Sequence, residues 1–153
     1  MLKLRTTPFK NSIEIETETG LMFIENVETT LSMLLEPRIN TNKLFMLDDV
    51  ERLIESVVFT LAFLQENNIT YKDVSPDNIF YENGVFKLLP NELIEHSTYQ
   101  KLKIEQETLP SPELLIGLRL GEEDIEEEDI LEKCNVFTFG MVLLEVTTLL
   151  PSQ

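Results

Sequence analysis

The sequence predicts an α+β fold that is mainly helical with two short β-hairpins, and three observations carry that expectation. From Asp48 to Asn67, apolar side chains recur at three- and four-residue spacing, the pattern of a helix with one face on a core. Two pairs of short, strand-like runs are each joined by a polar turn containing glycine, Gly20 in the first pair and Gly84 in the second. The segment Phe137 to Leu150 is apolar on nearly every side, which suits a helix in the middle of a domain.

Taken in order, the first hairpin is read from NSIEIETETG, where Ile13 and Ile15 alternate with Glu14, Glu16 and Glu18, and from the more apolar GLMFIENV. TTLSMLLEP then places Leu31, Leu34 and Leu35 at helical spacing, and Pro37 is expected to close that helix after barely two turns. In the long helix, Val50, Leu53, Ile54, Val57, Val58, Leu61 and Leu64 form the apolar face. Asp48 followed by Glu51 reads as a capping box at its start, and Asn67-Asn68 as its end. The second hairpin pairs Ile79-Phe80-Tyr81 with Val85 to Leu89 across Glu82-Asn83-Gly84. The polar stretch YKDVSPDNIF, Tyr71 to Phe80, is thus held between a long helix and a hairpin, a rigid frame of the kind that positions catalytic residues. Further on, Ser111-Pro112-Glu113 forms a helix start. Eight of the eleven residues Glu122 to Glu132 are acidic, which reads as a solvated insert. That run lacks the turn glycine and alternating oxygen ligands of a calcium loop.

Composition narrows the function classes. With 153 residues, 42% of them hydrophobic and 26% charged, the chain suits one globular domain. Its formal charge of -16, with no window rich in Lys and Arg, argues against nucleic-acid binding. Cys134, the single cysteine, has no partner for an internal disulfide, which fits a cytoplasmic setting. The opening MLKLRTTPFK has no apolar signal-peptide core, and FTFGMVLLEVTTLL, interrupted by Glu145, is too short for a membrane span.

The order of these features resembles the central part of the large C-terminal lobe of a protein kinase. Tyr71-Lys72-Asp73-Val74-Ser75-Pro76-Asp77-Asn78 is similar to the catalytic loop His-Arg-Asp-Leu-Lys-Pro-Glu-Asn. Ser111-Pro112-Glu113 stands where Ala-Pro-Glu closes the activation segment, and Asn135-Val136-Phe137-Thr138-Phe139-Gly140 resembles Asp-Val-Trp-Ser-Phe-Gly at the head of the central buried helix. Gly20 to Val27 corresponds to the strand entering the interlobe hinge, and Thr30 to Leu35 to the short helix after it. The resemblance runs from about Asn11 onward and implies a partial kinase-like domain over 1-153, truncated at both ends, with 122-132 as an acidic insert.

By that resemblance, Asp73 matches the aspartate that positions or deprotonates the substrate hydroxyl, and Asn78 the asparagine that helps hold magnesium. Lys72 replaces an arginine and loses its bidentate fork, Tyr71 takes the histidine position, and Ser75 takes that of the lysine facing the transferring phosphoryl group. After the hairpin, Pro90-Asn91-Glu92 stands where Asp-Phe-Gly would place the metal-chelating aspartate. Proline has no carboxylate, and Glu92 comes two positions late. No glycine-rich phosphate loop or Val-Ala-Ile-Lys-like strand precedes these features.

The resemblance therefore implies a catalytically inactive, pseudokinase-like module in which Asp73 and Asn78 are vestigial and structural, without cofactor. Its expected partner is another protein or a second copy, through the apolar C-terminal helix region, with no nucleic acid and no membrane. The alternative is a fragment of a larger kinase whose ATP- and magnesium-dependent phosphoryl transfer needs regions absent here. His96 reads as an ordinary loop residue, and Ser97, Thr98 and Tyr99 fall where an activation segment would be modified.

Overall fold

The computed structural model describes residues 14–16, 21–23, 29–95, 97, 111–115 and 127–150. The apolar stripe of the long helix folds as α2, Leu47–Glu66, within one residue of the expected bounds. Its start differs from the capping-box expectation. The N-cap is Met46, with no side-chain cap, and Asp48 and Asp49 lie inside the first turn, where their charge meets the positive end of the helix dipole.

The stripe is also narrower than the sequence pattern. Leu53, Val57, Thr60 and Leu64 are buried, whereas Ile54 and Val58, expected on the apolar face, are exposed. Thr60 is tolerated in the core because its hydroxyl donates to the Ser56 carbonyl at 2.7 Å.

Helix α1, Leu31–Thr41, corrects the reading of Pro37 as a terminator. Pro37 lies inside the helix, where it lacks an N–H for the carbonyl of Met33. Met33 is itself exposed, so this unpaired position lies on the outer side of the helix and not in the core. Thr30 caps the start by accepting from the Met33 N–H, and Asn42, in the left-handed region at φ 51°, ends the helix by donating to Arg38 and Ile39.

Both hairpins form. Strand β1, Glu14–Glu16, pairs antiparallel with β2, Leu21–Phe23, and β3, Ile79–Glu82, with β4, Val85–Leu88. The β3–β4 turn is the two-residue Asn83-Gly84, both at positive φ, as a tight hairpin with right-handed strand twist requires. The outer edge of β3 is covered by the segment before α1, through a Thr30–Phe80 bridge and the Tyr81 N–H to the Thr29 carbonyl. The fold class is α+β, mainly helical, with two two-stranded sheets among the described residues.

The last helix, α3, spans Glu127–Thr148 and begins ten residues before the expected Phe137. The part of the acidic run from Glu127 to Glu132 is therefore helical and not a loop, while 122–126 lie outside the described residues. The helix ends at Leu149, which takes a left-handed conformation at φ 57° yet is buried in the core. The cost of that conformation for a leucine, about 1–2 kcal/mol, is offset by burying its side chain.

The core joins α1, α2, β3, β4 and α3. Leu31 and Leu35 meet Leu53, Val57 and Leu64, the hairpin residues Ile79, Phe86 and Leu88, and Phe139, Val142 and Val146 of α3. Helices α2 and α3 pack on each other, with Leu53 and Val57 of α2 in one cluster with Phe139, Val142 and Val146 of α3, and Val50 and Leu61 packed against it. Ser111 is buried, and its hydroxyl lies 2.9 Å from the Cys134 thiol, tying the helical turn at 112–115 to α3. Burial pushes the Cys134 thiol up from its ordinary range, with the Ser111 hydrogen bond opposing, so the group is an inert core thiol.

Candidate functional site

The loop between α2 and β3 is fastened residue by residue, mostly by side chains from distant parts of the chain. Asn91, in the 3-10 turn Asn91–Leu93 after β4, spends both ends of its amide on this loop's backbone. Its Nδ2 donates to the Thr70 carbonyl at 2.6 Å, and its Oδ1 accepts from the Lys72 N–H at 3.0 Å. Asn135 of α3 donates through Nδ2 to the Tyr71 carbonyl at 3.0 Å. Three consecutive loop residues thus have their backbone held by two asparagines.

Tyr71 is buried, and its hydroxyl donates to the Leu89 carbonyl at 2.8 Å. Burial first, and the nearby Asp73 charge second, push the phenol well above its ordinary value, with the bond to Leu89 opposing. A phenol raised in this way contributes stability that is complete below the unfolded value of about 10 and is lost as pH rises beyond it, at up to ~1.4 kcal/mol per pH unit. Tyr71→Phe is expected to cost about 1 kcal/mol at neutral pH and to flatten the fall in stability above pH 10. Urea midpoints measured across that range check this; an unchanged alkaline slope in the variant would contradict the buried phenol.

Asp73 and Asn78, the two residues singled out by resemblance, are brought together. Asn78 Nδ2 donates to Asp73 Oδ2 at 2.7 Å and to the Asp73 carbonyl at 3.1 Å, and Ser75 Oγ donates to the same carboxylate oxygen at 2.8 Å. Both residues are buried, Asp73 to 4% exposure. The 3-10 turn Pro76–Asn78 brings Asn78 back over Asp73, and the Leu89 N–H to Asn78 carbonyl bond extends the ladder of the hairpin onto it. Asp77, at the outer side of that turn, accepts from the Ser32 hydroxyl and fixes the turn to α1. Lys72 Nζ donates to the Ile94 carbonyl at 3.2 Å.

Pro90 is buried and caps the start of the Asn91–Leu93 turn. The side chain of Glu92 lies outside the described residues, as do His96, Thr98 and Tyr99; Ser97 is buried. Asn91 and Asn135 carry no role in the sequence pattern, and Tyr71 figures there only as a replacement for histidine. Nothing local marks them, because their partners are backbone atoms 18 to 64 positions away.

Among the described residues, no helix is long and apolar enough to cross a membrane, and no three His, Cys, Asp or Glu side chains converge as a metal site. No protein-family model matches the chain. It is 31% identical over 102 residues to a probable serine/threonine-protein kinase of Dictyostelium discoideum. That match takes in 63% of this chain and 10% of the length of the relative, so the chain is similar to a segment that is a small part of that protein.

Proposed function

We propose that the chain is the central part of the large lobe of a kinase-like domain, catalytically inactive, serving as a binding or regulatory module. The observation that carries the inactive reading is the pair Pro90-Asn91. A buried proline stands at the position the resemblance gives to the metal-chelating aspartate, and the next residue is committed to holding loop backbone. Magnesium on a transferring phosphate takes carboxylate oxygens. With a proline at position 90, the carboxylate that the resemblance expects to chelate the metal is missing, and of the matched residues Asp73 and Asn78 are left, joined to each other through Asn78 Nδ2 and Asp73 Oδ2. This donor set does not fit magnesium-bound ATP, and no chemical step is assigned to it. Asp73 and Asn78 act as structural vestiges. In this reading 1-153 is one partial kinase-like domain with an acidic insert at 122-132, it needs no cofactor, and it works in the cytoplasm on a protein partner. The charge of -16 disfavours nucleic acid.

A second reading is favoured by the 10% coverage of the relative: a fragment of a larger protein kinase, whose phosphoryl transfer to Ser, Thr or Tyr requires further regions. Titration calorimetry with ATP, with and without magnesium, tests the inactive reading. No saturable heat is expected up to about 1 mM nucleotide. A saturable, magnesium-dependent signal that disappears in Asn78→Ala would overturn it.

A further inference from the structure

Between the C-terminal half of α2 and the first half of α3 runs a groove of about 570 Å³. Its walls are largely apolar, with Val58, Leu61, Ala62 and Ile69 facing Val136 and Phe139. Val136 is 74% exposed and Val58 51%, so the groove presents apolar surface to solvent. The charged residues on its lining, Glu132 and Lys133, offset one another. The surface beyond it is not balanced. Along the same face of α2, four and seven residues before Val58, lie exposed Ile54 and Glu51, with exposed Glu55 beside them. Over its whole length α2 carries Asp48, Asp49, Glu51, Glu55 and Glu66 against Arg52 as its basic residue.

From this geometry we infer that the α2–α3 groove docks an amphipathic helix of another protein, whose apolar side enters the groove and whose basic end lies over Glu51 and Glu55. A groove between two helices accepts the i, i+3, i+4, i+7 apolar edge of a third. The charge selects among occupants. Two copies of a chain carrying -16 repel one another, whereas a cationic helix is drawn in and held at its end by carboxylates. The inference names a partner chemistry for the binding-module reading and rests on it. Nucleotide titration tests that reading, and peptide titration tests this one, so the two fail separately.

The probe is a synthetic peptide of about 16 residues with leucines at helical spacing and lysines elsewhere, paired with a second in which every lysine is glutamate. Anisotropy titration on the whole chain is expected to give a Kd near or below about 10 μM for the cationic peptide and at least about tenfold weaker binding for the acidic one. Val136→Lys and Val58→Lys, both at exposed positions, are each expected to weaken cationic binding about tenfold. Met33→Lys, exposed on α1 and outside the groove lining, leaves it unchanged. Joint Glu51→Gln and Glu55→Gln substitution lowers affinity about threefold and reduces its salt dependence. Equal affinity for the two peptides, equal loss in Met33→Lys, or no binding by a chain whose circular dichroism shows it folded would each overturn the inference. So would sedimentation showing a dimer that Val136→Lys dissociates, because the groove's occupant would then be a second copy.

Discussion

Leu53→Ala is expected to lower the unfolding free energy by about 3 kcal/mol, whereas Phe59→Ala, six residues along the same helix, should change it by less than about 0.5 kcal/mol. Leu53 is 1% exposed and belongs to the cluster that also contains Val57, Phe139 and Val146, so truncating it forfeits buried apolar area and leaves a cavity in the core. Phe59 is 66% exposed, and its larger side chain loses little on truncation. Hydrophobicity alone would rank the two the other way. Urea unfolding of both variants decides between them. A cost at Phe59 equal to that at Leu53 would mean that the outer face of α2 is covered in the folded protein.

How far the fold was legible depends on whether the deciding contacts are local. The β3–β4 hairpin could be read because its turn chemistry lies in two adjacent residues, Asn83 and Gly84, which supply the positive φ values the connection needs. The length of α2 could be read because its apolar repeat is strong. Its buried face could not, since apolar residues occupy more than half the circumference, and the choice of Thr60 over Phe59 is made by β4 and α3. Pro37 was misleading because its penalty falls on an exposed side of the helix, while burial of Leu31 and Leu35 in the core and capping by Thr30 and Asn42 act to hold the helix together. The start of α3 was misplaced for a related reason. Eight acidic residues in eleven look like a loop, yet acidic side chains at a helix start are favoured by the dipole.

The candidate site shows the same division. Asp73 and Asn78 were found through a resemblance carried by eight consecutive residues, and their mutual hydrogen bond spans only five positions. The residues that hold the loop in place, Asn91 and Asn135, act through space on backbone atoms of residues 70 to 72. A side-chain amide that substitutes for a neighbouring strand leaves no periodic trace in a sequence.

The Asp73–Asn78 pair is expected to couple by about 1.5–3 kcal/mol in a double-mutant cycle built from Asp73→Ala, Asn78→Ala and both together. The bond is short, at 2.7 Å, and lies in a buried setting, where a hydrogen bond to a carboxylate is stronger than one between neutral groups. Asn78→Ala alone should be the more damaging single change per atom removed, because it takes away one of the two side-chain donors described on Asp73 Oδ2 and leaves a buried charge less well solvated. Asp73→Ala removes the charge together with its requirement for donors, so part of its cost is returned. In the double variant the second substitution should therefore be much cheaper than it is alone. Urea midpoints at neutral pH give the four free energies directly. A coupling below about 0.5 kcal/mol would show that the two residues contribute independently, and the structural role assigned to a loop shaped like a catalytic one would have to be abandoned.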